Sequence, residues 1–107
     1  MKVINASDLA QWLADPARGR PQLLDVREPW ETQICQIAGA ELIPMRAVPG
    51  EVHRLDTDRP VVCICHHGHR SAHVAMFLLR EGFADVYNLL GGVDAWARQV
   101  DPSMPVY

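Results

Sequence analysis

The segment Pro60 to Ser71, PVVCICHHGHRS, constrains the fold more than any other part of the chain. Val61 to Ile64 is a short apolar run with proline before it and a polar loop after it, the pattern of a fully buried strand. Cys65 closes the run, and His66, His67, Gly68, His69 and Arg70 follow as a tight loop. Ser71 opens a helical pattern to Glu81 in which Val74, Ala75, Phe77, Leu78 and Leu79 form a wide apolar face, and Gly82 is placed to end it. Strand, loop and helix start in succession make a cradle of backbone N–H groups. A cysteine at the mouth of that cradle has its thiolate favoured by the helix dipole and by a nearby arginine. This is the arrangement of a cysteine nucleophile acting on a compact anionic substrate. Gly68 supplies the positive φ, or the close backbone approach, that an anion nest needs.

The rest of the chain alternates strand and helix patterns. Lys2 to Ile4 suits a short first strand. Ser7 is the expected N-cap of a helix in which Leu9, Trp12 and Leu13 share a face, with Pro16 beyond its end. Gln22 to Val26 reads as a strand, Pro29-Trp30-Glu31 as the opening of a short helix, and Ala40 to Ile43 as a third strand. Met45 to Leu55 reads as an irregular helical connection, because Pro49 and Gly50 interrupt it. Asp85 to Leu89 makes a last strand, and Gly92 to Ala97 a short helix with Val93, Trp96 and Ala97 inward. Together these specify an α/β fold, a mainly parallel sheet of about five strands with helices on both faces. Sites in such sheets form beyond the carboxyl ends of the strands. Cys65 ends one strand and Arg27 follows another, so both are expected at that edge.

A length of 107 residues, with 49% hydrophobic and 21% charged content, predicts one soluble domain over 1–107 that needs no staples. The formal net charge of −3 argues against nucleic acid or an acidic membrane as partner. Three cysteines without disulfide-framework spacing fit a reducing compartment. The start, MKVINASDL, lacks the apolar run of a signal peptide, and no segment could span a bilayer, so the expected location is the cytoplasm. Between Arg59 and Arg80 there is no aspartate or glutamate, but three arginines and four of the five histidines. A single-sign field around Cys65 is the expected result. Arg59 and Arg80 are expected on solvated surface, and Arg70, at a helix start, in the site. Cys63 lies two residues earlier on the strand and is expected in the core, and Cys35 in a loop without a partner. His66, His67 and His69 stand beside Cys65 in a run unlike the usual ligand spacings of zinc sites. Converging N–H groups also repel a cation, so neither a metal nor a cofactor is expected. The histidines are expected to point outward around the mouth, tuning charge or relaying a proton.

The spacing C-x-x-G-x-R-S resembles the active-site loop of the rhodanese (thiosulfate sulfurtransferase) family. The likeness extends over most of the chain. Leu23-Leu24-Asp25-Val26-Arg27-Glu28 is similar to that family's first signature. Gly39-Ala40 and Ile43-Pro44 are similar to the remainder of its G-H-I-P-G-A motif, with Cys35, Gln36 and Ala38 where that pattern has Gly, His and Pro. Leu90-Gly91-Gly92, Ala95-Trp96 and Pro105-Val106 are similar to its closing signature.

The resemblance implies a two-step transfer. The Cys65 thiolate takes the outer sulfur of a small anionic donor such as thiosulfate, and the persulfide then passes it to cyanide or a thiol, including a protein thiol. Catalytic roles fall to Cys65 and to Arg70, which holds the leaving sulfite's charge or shapes the loop. The backbone N–H groups of His66, His67, Gly68, His69 and Ser71 bind the substrate and steady the persulfide. Asp25 and Arg27 are expected as a buried pair fixing the neighbouring strand end. Two other readings stand beside this one. Cysteine phosphatases and arsenate reductases place five residues between cysteine and arginine, where this chain has four. A rhodanese-type module can also serve only to bind proteins.

Overall fold

Alternation along the strands decides which residues meet which layer. The computed structural model describes residues Met1–Tyr107. Its elements run β1 (Lys2–Ile4), α1 (Ala6–Ala14), β2 (Gln22–Asp25), α2 (Pro29–Ile34), β3 (Glu41–Leu42), α3 (Val48–Glu51), β4 (Val61–Ile64), α4 (His69–Arg80), β5 (Val86–Leu89) and α5 (Gly92–Gln99). Short 3-10 turns, Met45–Ala47 and Val52–Arg54, flank α3. The five strands form one sheet in the order β1-β5-β4-β2-β3, every neighbouring pair parallel. No helix is long and apolar enough to cross a membrane.

A parallel sheet is covered on both faces, so its central strands read as unbroken apolar runs. All four residues of β4 are buried for that reason. Successive side chains leave on opposite faces, which splits the core in two. Leu23, Val62, Ile64 and Leu89 pack on one side with Leu9 and Trp12 of α1 and Val93 and Trp96 of α5. Leu24, Val26, Val61, Cys63, Cys65 and Val86 pack on the other with Val74, Ala75 and Leu78 of α4. Cys65 therefore faces the α4 layer.

Several boundaries differ from the expected ones. Helix α1 is capped by Asn5, whose side chain accepts the Asp8 N–H at 2.7 Å, and Ser7 lies inside its first turn. The third strand contracts to Glu41–Leu42, which pair with Leu24 and Asp25 of β2, because Gly39 just before it takes the left-handed conformation (φ +86°) and turns the chain out of the sheet. Helix α4 starts at His69, two residues before Ser71, because Gly68 takes the left-handed conformation (φ +106°) and serves as its N-cap. Arg59 and Arg80 are exposed, and Cys63 is fully buried, as expected.

Candidate active site

The carboxyl end of β4 delivers Cys65 directly beneath the start of α4. Its Sγ accepts the Gly68 N–H at 3.1 Å, the Ser71 N–H at 3.4 Å and the Ser71 hydroxyl at 3.2 Å. The residue is 1% exposed, so these donors replace water around the sulfur. The N–H groups of His66, His67, His69 and Arg70 make no hydrogen bond to Sγ itself. Gly68 is needed twice over. Its φ is positive, and a Cβ there would stand 3.3 Å from the Leu89 carbonyl oxygen and 3.4 Å from the Gly91 nitrogen.

Helix α5 holds the loop from the other side. The first N–H groups of a helix have no intrahelical partner. Here Val93 donates to the Cys65 carbonyl at 2.9 Å and Asp94 to that of His66 at 3.1 Å. Asn88, in β5, completes the frame. Its Nδ2 donates to the Gly68 carbonyl at 3.0 Å, and its Oδ1 meets the Ser71 hydroxyl. Cys63 takes no part, because burial pushes its thiol up to about 12 and keeps it neutral.

Arg70 does not stand free beside the sulfur. Its guanidinium grips Glu31 of α2 with two bonds, at 2.6 and 2.9 Å, in a fork geometry suited to carboxylate. Those bonds lower the Glu31 carboxyl to about 2, and Glu31 in turn raises Arg70. The segment from Arg59 to Arg80, free of acids in sequence, is thus not free of them in space. Arg70 makes no hydrogen bond to Cys65 Sγ, and its guanidinium is bound to Glu31. Arg70 also lines a hollow with Val26, Glu28, Met45 and Arg46.

The polar chain continues inward from Glu31. The Tyr107 hydroxyl donates to Glu31 Oε2 at 2.7 Å and accepts from Arg27 at 2.9 Å. Burial pushes the Tyr107 phenol up to about 12, so it keeps its proton. Arg27, fully buried, binds both oxygens of Asp25 and also the Cys35 carbonyl. Burial works against the Arg27 charge, but the hydrogen bonds and charge of Asp25 and Tyr107 together more than offset it and raise the guanidinium. The expected Asp25–Arg27 pair is therefore part of a five-residue line ending at the first turn of α4. Cys35, expected in a loop without a partner, is buried with its Sγ 3.8 Å from Arg27.

His67 and His69 are exposed, but His66 does not point outward. Its ring lies between those of Tyr107 (3.7 Å, 6°) and His67 (3.9 Å, 28°), and its Nε2 is buried without a partner. Burial and the neighbouring His67 lower its basicity. His66, His67 and Asp94 bring possible ligand atoms within 4.8 Å of one another. A metal must lie in the plane of each imidazole about 2 Å from its nitrogen, and two rings stacked face to face cannot meet that condition together. Asp94 is moreover taken by Arg98 at 3.0 Å.

Sequence reasoning missed Glu31, Asn88 and Tyr107. One signal was present: a lone asparagine in the apolar run Val86–Leu89 needs buried partners.

A model of the rhodanese-like domain matches residues 6–99. The chain is 36% identical over 112 residues to the Rhodanese-like/PpiC domain-containing protein 12, chloroplastic, of Arabidopsis thaliana, covering 100% of this chain but only 38% of that much longer protein. It is 35% identical over 82 residues to the thiosulfate sulfurtransferase GlpE of Pseudomonas aeruginosa, covering 77% of this chain and 74% of the relative. Among solved structures, a rhodanese-like domain protein from Staphylococcus aureus superposes with a TM-score of 0.85 at 31% identity, covering 100% of this chain and 99% of the other.

Proposed function

Because the chain belongs to the rhodanese-like domain family, which includes relatives named as sulfurtransferases, we propose that it transfers sulfane sulfur through a persulfide on Cys65. The observation that carries this reading is the set of three donors on one buried sulfur, Gly68 N–H, Ser71 N–H and Ser71 Oγ–H. Charge on Sγ is stabilised there without water, and the donors are in place before reaction.

In the first step the thiolate attacks the outer sulfur of thiosulfate. The Sγ–S bond forms, the sulfur–sulfur bond of thiosulfate breaks, and sulfite leaves with the electron pair. In the second step cyanide or a thiolate attacks the outer sulfur of the persulfide, and Cys65 regains its charge. The N–H groups of His69 and Arg70, which α4 itself cannot satisfy, receive the outer sulfur. Arg70 holds the cradle's shape through Glu31. Four residues between Cys65 and Arg70, with the guanidinium held by a carboxylate, leave no free clamp for a tetrahedral phosphoryl group.

Intact mass after incubation with thiosulfate tests the reading. One added sulfur, removed by cyanide and absent in Cys65→Ser, is the expected result. An adduct that survives Cys65→Ser overturns the assignment, and no adduct at all leaves the protein-binding module as the better account.

A further inference from the structure

The Ser71 hydroxyl stands between two acceptors, Cys65 Sγ at 3.2 Å and Asn88 Oδ1. A serine hydroxyl has one proton, so it can serve only one of them at a time. Asn88 cannot turn to remove the conflict. Its Nδ2 donates to the Gly68 carbonyl at 3.0 Å, and reversing the amide would set two carbonyl oxygens against each other. Oδ1 is therefore fixed as an acceptor in a residue 6% exposed, where losing its donor carries a desolvation cost. When Sγ is a thiol, its S–H donates to Ser71 Oγ and the hydroxyl proton goes to Asn88. When Sγ is an anion, it is the stronger acceptor, and Asn88 gives the proton up.

We propose that Asn88 is a positioning residue of sulfur transfer, taking the Ser71 hydroxyl bond back each time charge leaves Sγ. The proposal rests on Cys65 as the persulfide carrier. In the persulfide the charge lies on the outer sulfur, so Sγ no longer needs the hydroxyl and Ser71 returns to Asn88. The free thiolate leaves one buried acceptor unsatisfied, and the loaded form does not. The network thereby favours the loaded form. The proton stays covalently on Ser71 throughout, and only its hydrogen bond changes partner.

Two measurements test this. In wild-type protein labelled with 13C and 15N at asparagine, the Asn88 side-chain resonances are compared in the thiol form at acid pH, the thiolate form at alkaline pH and the thiosulfate-loaded form. The thiol and persulfide forms should share one position and the thiolate should stand apart. A mere field effect would group the two anions against the thiol, and that grouping, or one position for all three, overturns the proposal. The second measurement is the loaded fraction of Cys65, by intact mass, at a fixed thiosulfate-to-sulfite ratio. Asn88→Ala should lower the loaded-to-free ratio about fivefold. Ser71→Ala should raise the ratio about fivefold more in the Asn88→Ala background than in wild type, because only wild type also loses the Ser71–Asn88 bond of the loaded form. Equal effects of Ser71→Ala in both backgrounds overturn the proposal, and if Asn88→Ala does not fold the wild-type spectra decide alone. Absence of any wild-type adduct sinks the sulfurtransferase reading itself, whereas an adduct with the wrong grouping sinks only the role of Asn88.

Discussion

A methyl group on Gly92 would lie 2.3 Å from the Cys65 carbonyl oxygen and 2.4 Å from that of His66. Both obstacles are backbone, which cannot swing aside, and Gly92 itself sits at φ +59°. Gly92→Ala is expected to cost about 3 kcal/mol or more in urea unfolding, among the largest single-residue effects. Gly50→Ala, with nothing within 4 Å of the added carbon, is its control and should change stability by under about 1 kcal/mol. Equal stability of the two variants would mean that the loop yields to α5. Cys65, Gly68 and Ser71 were legible because their chemistry follows from spacing inside a dozen residues. Their supports were not, because the bonds span 17 residues for Asn88–Ser71, 39 for Arg70–Glu31 and 76 for Tyr107–Glu31. No local pattern encodes such pairings, although a buried polar residue announces that one must exist.

Helix α2 has six residues and little apolar face of its own, yet it carries the carboxylate that anchors α4. A capping box between Glu28 and Glu31 fixes its first turn, which aims Glu31 at Arg70. The Glu31 carboxyl lies at about 2, below its ordinary value of 4.5. The stability it contributes is therefore complete above about pH 4.5 and is lost as pH falls towards 2. Glu31→Gln should cost on the order of 2 kcal/mol at neutral pH, less than the full shift converts to because Arg70 is 34% exposed. The gap to wild type should close as pH falls from about 5 to 2, followed by urea midpoints. A gap independent of pH would place the stabilisation elsewhere. Element types were readable throughout, since helices and buried strands differ in apolar period. Their ends were less so. Gly68 moved the start of α4, Asn5 displaced Ser7 as a cap, and the left-handed Gly39 shortened the third strand.

The sheet order sets β4 between β5 and β2, so Asn88, the sulfur that follows β4 and the Asp25–Arg27 pair at the end of β2 come together from three neighbouring strands. The parallel sheet with two helical layers was legible from alternation of elements, but the strand order is a matter of long-range packing that local pattern does not carry. Tyr107 ties the ensemble together by stacking on His66 and bonding Arg27 and Glu31. Tyr107→Phe keeps the ring and removes both bonds, and should cost about 2 kcal/mol by thermal or urea unfolding while thiosulfate loading of Cys65 persists. Loss of loading in a folded Tyr107→Phe protein would assign the hydroxyl a part in the chemistry. The outermost strands, β1 and β3, have only three and two residues. Lys2 on one and Glu41 on the other are drawn into ion pairs with Asp85 and Arg54. Edges so short and so charged present a neighbouring copy with too few free backbone groups to zip onto. The consequence is colloidal: the edges offer crowded copies of this chain little backbone along which sheets could join into fibres.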